Sequence, residues 1–214
     1  MTLDTPHLIA LAAALGWASG LRLWAVLLLT GAAGALGWVE LPPGLRVLQH
    51  PLAIGAAGTM AAVEFLADKI PVVDSFWDAL QTLVRIPGGA ALAAGVFGGD
   101  DATWVAVAAV LGAALAANSH FAKASLRAAV NTSPEPFSNI SLSVLGDVAV
   151  PAVLWLSVVH PIALLCVVAV AALVMVAITV MLIRFLRTFV GRLRRRAEAG
   201  THGRPRWRSS PRSP

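Results

Sequence analysis

The chain has 214 residues, 58% of them hydrophobic and only 13% charged, with a mean hydropathy of +0.79. Soluble chains run near 45–50% apolar and about 25% charged, so a soluble globular protein is excluded. Gly 18, Pro 13 and a single cysteine exclude collagen-like, disordered and disulfide-scaffold chains. The net charge of +5 is unevenly spread: ten arginines and one acid (Glu198) lie in residues 184–214, against six bases and ten acids in residues 1–183. A basic tail on an apolar body reads as a cytoplasmic anchor beside anionic lipid headgroups, and nucleic acid is the weaker reading.

A helix rising 1.5 Å per residue needs about 20 apolar residues to cross roughly 30 Å of hydrocarbon. The first apolar run starts near Leu8 and is too long for a leader, and Met1-Thr2-Leu3-Asp4 supplies no basic flank, so a membrane span is expected there. Six helices are predicted in chain order, at 8–34, 51–67, 76–98, 102–124, 138–158 and 161–187. The third reaches spanning length only by admitting Arg85, and Gly98-Gly99-Asp100-Asp101 marks the turn after it. With the Arg-rich end inside, an even count puts both termini in the cytoplasm of a cell (plasma) membrane. Lys69, Lys123 and Arg127 then lie at the inner side, Asp100 and Asp101 outside, and only Arg46 opposes the rule. Residues 1–187 form the membrane domain, and residues 188–214 are expected to be a disordered Arg/Pro-rich cytoplasmic tail.

Two inner connections, Ile70-Pro71-Val72-Val73 and Pro136-Phe137, are apolar. Loops in water are usually polar, so these segments are expected to dip back into protein at membrane depth. Six helices with short, broken pieces in each half suggest an inverted three-plus-three repeat. The expected fold class is therefore an all-α integral membrane protein of about six transmembrane helices, some short or broken.

Charges inside the spans are the candidates for chemistry, because each costs at least about 2.5–3.5 kcal/mol at mid-bilayer. Arg22 falls near the centre of the first span and Asp147 near the centre of the fifth, so an ion pair between them is expected; separate satisfaction by carbonyls, hydroxyls or water is the alternative. Glu64 and Asp68 are four residues apart on one helix face, and His120, Lys123 and Arg127 share another. These faces could pack as a structural ion-pair network or line a polar cavity. His120 and His160 have no second ligand at metal spacing, so neither a metal nor another cofactor is expected. Gly16/Gly20 and Gly95/Gly99 allow close helix approach and leave room for a homo-oligomer. No phosphate-binding loop, nucleophile elbow or zinc-protease motif occurs, so no enzyme is expected.

Three strings resemble a bacterial membrane-protein family catalogued as domain of unknown function 4126. They are Gly20-Leu21-Arg22-Leu23; Val63-Glu64-Phe65-Leu66-Ala67-Asp68-Lys69-Ile70-Pro71-Val72-Val73-Asp74-Ser75-Phe76-Trp77-Asp78; and Ser119-His120-Phe121-Ala122-Lys123 through Asn131-Thr132-Ser133-Pro134-Glu135-Pro136. The likeness covers roughly residues 8–187 and implies an integral membrane protein without implying a reaction. It draws attention to polar, helix-breaking segments, and so adds Asp74, Asp78 and Asn131 to Arg22, Glu64, Asp68, Lys69, His120, Lys123, Arg127 and Asp147 as candidate solute- or ion-binding residues. The family pattern often carries another acid just before Asp147, where this chain has Gly146.

The expected activity is movement of a small solute or ion through a polar intramembrane site. An anion would use Lys123 and Arg127; a cation or proton would use Glu64, Asp68 and Asp147. A non-transporting membrane scaffold and a lipid-headgroup binder using Arg85, Lys123 and Arg127 are the rivals. A wet path favours transport, a dry and fully paired interior the scaffold, and a side opening beside those bases the lipid.

Overall fold

A computed structural model describes residues 3–70, 73–99, 101–130 and 136–202; the side chains of 74, 75, 136–140, 186, 189 and 190 and those beyond lie outside the description. Among the described residues the chain is all helical: α1 (Thr5–Ala35), a short 3₁₀ helix (Pro43–Gln49), α2 (Pro51–Ala67), α3 (Val73–Val96), α4 (Ala102–Val130), α5 (Pro136–Val159) and α6 (Pro161–His202). Five helices are long and apolar enough to cross a membrane, six if the 3₁₀ helix and α2, bent by 72°, count as one span. The chain is a membrane protein. Its large apolar side chains face outward along α2 to α6, as a hydrocarbon solvent requires, while α1 is packed at the centre.

The helix starts and stops follow local chemistry. Asp4 caps α1 by accepting the His7 amide, and Pro6 sits in the first turn, where its missing N–H costs nothing. Helix α1 ends at Gly37, which adopts φ +73° so that the amides of Gly37 and Trp38 turn back to Gly34 and Ala33. Helix α6 continues past the expected boundary near 187 as far as His202, through Arg, Leu, Ala and Glu, all good helix formers.

The main departure from the sequence reading lies in α1. Its backbone leaves helical geometry at one residue, Arg22 (φ −151°, ψ 84°). A straight helix would hold Leu8 and Ala33 about 37 Å apart. Instead Leu3 and Leu8 share a cavity with Leu41, and Leu11, Leu29, Thr30 and Ala33 line another with the same Leu41. Helix α1 therefore doubles back at Arg22 into two arms, 5–21 and 23–35, and both bases lie at the end of the bundle that holds residues 36–50 and 95–99.

The remaining helices run between that base end and the tip end. Gly58 faces Leu28 and Asp68 reaches Arg22, so α2 descends from base to tip. Helix α3 returns, with Gly88 against Leu23 and Gly95 against Leu45. Helix α4 descends, with Gly112 against Gly16 and Ser119 against Gly20. Helix α5 rises, and α6 descends beside α4, where the Asn118 amide donates to the Ala172 carbonyl. Among the described residues the start of α1 and the end of α6 thus lie at opposite ends of the bundle. The run 8–34, expected as one helix, is two arms joined at Arg22. Length and hydropathy cannot distinguish the two.

Glycine lets the arms sink in. A Cβ at Gly20 would lie 2.0 Å from Ser119 Oγ and 2.1 Å from the Ala116 carbonyl oxygen, so α1 and α4 meet backbone to backbone. Exposed Trp38, Trp104 and Trp155 ring the base end, and exposed Phe65, Phe76 and Phe121 ring the other. On α4 the two belts are about 25 Å apart, close to the hydrocarbon thickness.

Candidate functional site

The tip of α1 is where the buried charge collects. Breaking a helix frees the last carbonyls of one arm and the first amides of the next, and these groups need partners where water is scarce. Lys123 Nζ from α4 donates to the Leu21 carbonyl at 3.0 Å, and Ser119 Oγ donates to the Trp17 carbonyl at 2.6 Å. Arg22 itself points into the bundle and is 3% exposed. Its Nε lies 2.8 Å from Asp147 Oδ1, and its Nη2 lies 3.1 Å from Asp68 Oδ2 and 3.0 Å from Ser143 Oγ. The Arg22–Asp147 contact is therefore present, but as the edge of a larger network.

Asp68 is the hub. It caps the C-terminus of α2, and its side chain is 0% exposed. Oδ2 accepts from Lys123 at 3.1 Å and meets Arg22; Oδ1 accepts from Arg127 at 3.0 Å. Asp78 on α3 forms the next node, accepting from Arg127 Nη1 at 2.6 Å and Arg85 Nη1 at 2.7 Å, with Lys123 at 3.5 Å. Arg85 then carries the chain of pairs to Glu64 Oε1 at 2.6 Å. Glu64, Asp68, Asp78, Arg85, His120, Lys123 and Arg127 are all buried.

His120 closes the network on the α3 side. Arg85 Nη1 lies 3.3 Å from its Nδ1, and an arginine can only donate, so Nδ1 is the acceptor and the ring proton sits on Nε2. That proton goes to Thr82 Oγ1 at 2.7 Å, whose own hydrogen goes to the Asp78 carbonyl at 3.0 Å. Helix spacing explains the set: Asp78, Thr82 and Arg85 lie at i, i+4 and i+7 on α3, facing His120, Lys123 and Arg127 at i, i+3 and i+7 on α4.

The candidates distribute as follows. Arg22, Glu64, Asp68, Asp78, His120, Lys123, Arg127 and Asp147 come together. Lys69 stands at the rim, 30% exposed, 3.1 Å from the Phe65 ring centroid and 3.6 Å from Asp147 Oδ2. Asp74's side chain and the whole of Asn131 lie outside the described residues. Thr82 and Ser143 also belong to the network without having been singled out, and Arg85, expected only as a lipid-headgroup contact, belongs to it too; its place seven residues after Asp78 was the signal for that role. Arg85, Lys123 and Arg127 turn inward to carboxylates and do not present a basic face to lipid. Among the described residues no three His, Cys, Asp or Glu side chains gather as a metal site.

Glu64 Oε2, Arg85 Nε and the Gln81 side-chain oxygen are buried with no hydrogen-bond partner among the described residues. Buried polar atoms of this kind suit ordered water or a polar group of a solute. Gly146 adds a further opening, since a Cβ there would meet only Arg22 Nε, at 3.6 Å. A second acid at that position would lie against Arg22.

No curated protein and no solved structure matches the chain. Residues 9–182 match the model of one family, and that stretch holds every charged group of the network, so the chain belongs to the family described as Domain of unknown function (DUF4126).

Proposed function

We propose that the protein is a multi-pass transporter for a small solute or ion, held here with its site closed. The observation that carries this reading is the broken tip of α1, which sets a carbonyl released from the helix and held by Lys123, together with Arg22, among buried charges inside a bundle of otherwise apolar helices. As stabilisers, buried ion pairs are poor value: apolar side chains of similar volume often hold a fold as well or better. Broken helices and charges at membrane depth instead recur where solutes cross. In this reading Arg22 and Asp147 bind beside the tip of α1, and Asp68, Lys123 and Arg127 complete the site at the tip end.

Charge supports the tip end as the cytoplasmic one. Lys69, Arg127, Arg184 and Arg187 lie toward it, while Asp4, Glu40 and Asp101 outnumber Arg46 at the base. The N-terminus then faces outward from the plasma membrane and the Arg-rich end of α6 meets anionic headgroups inside. No catalytic step enters this reading.

The test is solute flux in proteoliposomes, with a panel of ions and small organic anions and wild type beside Asp147→Asn. Selective flux that the substitution abolishes is expected; no flux of any panel member by folded, oriented protein overturns the proposal. One observation favours a second reading. Every acid of the network has a cationic partner within 3.5 Å, which is also what a non-transporting scaffold would need. A scaffold gives no flux, and its charge substitutions alter stability alone.

A further inference from the structure

We propose that Asp68 is a displaceable internal counter-ion, and that Arg22, Lys123 and Arg127 around it form a binding site for the carboxylate or phosphate group of an anionic solute. The inference rests on the transport reading and gives it a substrate class.

The convergence is the first support. Three cations, from the tip of α1 and from two turns of α4, meet the two oxygens of one carboxylate at 3.0–3.1 Å. That is how a bound oxyanion is held: charge-assisted donors arranged around both oxygens, with water excluded. The only unusual feature is that this oxyanion is tethered to the protein.

The place of the tether is the second support. Asp68 is the residue that ends α2, and its amide already bonds to the Glu64 carbonyl. Its side chain can swing out toward the tip end without breaking a helical hydrogen bond. Lys69 and Ile70, which follow, lie in a turn and are partly exposed.

The third support is what remains after Asp68 leaves. Arg22 keeps Asp147 and Ser143, Lys123 keeps the Leu21 carbonyl and Asp78, and Arg127 keeps Asp78. Each cation stays anchored in position, so the site survives the loss of its plug. Among the described side chains, five cations (Arg22, Lys69, Arg85, Lys123, Arg127) would then face three carboxylates (Glu64, Asp78, Asp147), and an incoming anion would restore balance. A cation entering the same place would meet three like charges.

Exchange also gives the site a simple coupling rule. With Asp68 in place the network is closed and the three donors are occupied. With an anion in place Asp68 is released toward the tip end, where Lys69 stands near. Arg22 touches both Asp68 and Asp147, so the same exchange reaches the α5 side of the network.

The experiment is equilibrium binding to purified full-length protein in phosphatidylcholine nanodiscs, at constant ionic strength. Inorganic phosphate and acetate are the probes, tryptophan fluorescence and thermal unfolding the readouts, and wild type is set beside Asp68→Asn. Saturable binding to wild type is expected, at least tenfold tighter in Asp68→Asn because no tethered carboxylate competes. Glu40→Gln, which removes an exposed charge at the base end and away from the site, should leave the affinity within about twofold. A parallel arm with phosphatidic acid in the disc and no free anion assigns the source. Protection there alone makes the ligand a lipid phosphate; protection by free anion makes it a soluble one, and both support the site. Failure of any anion to bind wild type overturns the proposal, as does binding confined to the variant, which would make Asp68 a permanent structural partner. If Asp68→Asn does not fold, the wild-type titration decides. Cation flux in proteoliposomes without anion binding would leave the transport reading standing and remove this one.

Discussion

Removing Arg85 should be among the most damaging single substitutions in the bundle, and removing its partner as well should largely repair it. Arg85 is 0% exposed and bonds Glu64 Oε1 at 2.6 Å and Asp78 Oδ1 at 2.7 Å. Asp78 keeps Arg127 at 2.6 Å when Arg85 is gone, but Glu64, also 0% exposed, has no other partner among the described residues. Arg85→Met therefore strands one buried carboxylate, which costs about 3–5 kcal/mol. Glu64→Leu/Arg85→Met removes both charges, fills the space with side chains of similar volume and should return to within about 1–2 kcal/mol of wild type, or exceed it. Reversible unfolding in mixed micelles, followed by the fluorescence of the seven tryptophans, measures both. The reasoning fails if Arg85→Met loses under about 1 kcal/mol, or if the double variant is no more stable than the single one.

Packing, capping and site geometry give further expectations. Gly20→Ala forces a Cβ within 2.0 Å of Ser119 Oγ and should cost at least about 1–3 kcal/mol, whereas Gly55→Ala, with open space around it, should stabilise α2 by about 0.5–1 kcal/mol; thermal unfolding in detergent compares them. Gly146→Asp should partly restore an Asp147→Asn protein in stability and flux, because the new acid lies against Arg22; no rescue would contradict the placement of Arg22 against α5. Hydrogen bonds from His7 hold the Asp4 carboxyl below its ordinary 3.8, so the capped first turn is supported above that pH and loses the support as pH falls through the lower folded value. Hydrogen exchange at the His7 amide should accordingly quicken, beyond its intrinsic pH dependence, only in strong acid.

Much of the architecture was legible because hydrocarbon imposes simple rules. The run 161–187 could only be a span, and Gly98 to Asp101 could only be a turn. The charged faces of α2 and α4 followed from spacing, and the expectation that Arg22 and Asp147 meet followed from opposite charges near the centres of two spans. The doubling back of α1 was not legible. Leu21-Arg22-Leu23 contains no proline or glycine at the break, and one residue's dihedral angles decide whether 31 residues make one crossing or two arms. What fixes the break is tertiary: Lys123 takes the freed carbonyl, and Asp68 and Asp147 take the arginine, from three other helices. Arg85 was read as a cost of extending a span because no partner could be assigned to it before α2 and α4 were placed beside α3. The connections expected to dip back, Ile70-Pro71-Val72-Val73 and Pro136-Phe137, were chosen for their apolar residues, and Pro71, Val72 and the side chains of Pro136 and Phe137 lie outside the described residues, whereas the break in α1 is marked by a charge.

The doubled-back α1 underlies the site, the topology and the proposed transport, and one distance tests it. Spin labels at Ile9 and Leu36, both exposed, on a chain with Cys166 replaced, would lie about 40 Å apart on a straight α1. A helix folded at Arg22 brings both to the base end, within about 20 Å of each other. A single short distance from double electron–electron resonance in nanodiscs is the expected result, and a population centred near 40 Å would contradict it.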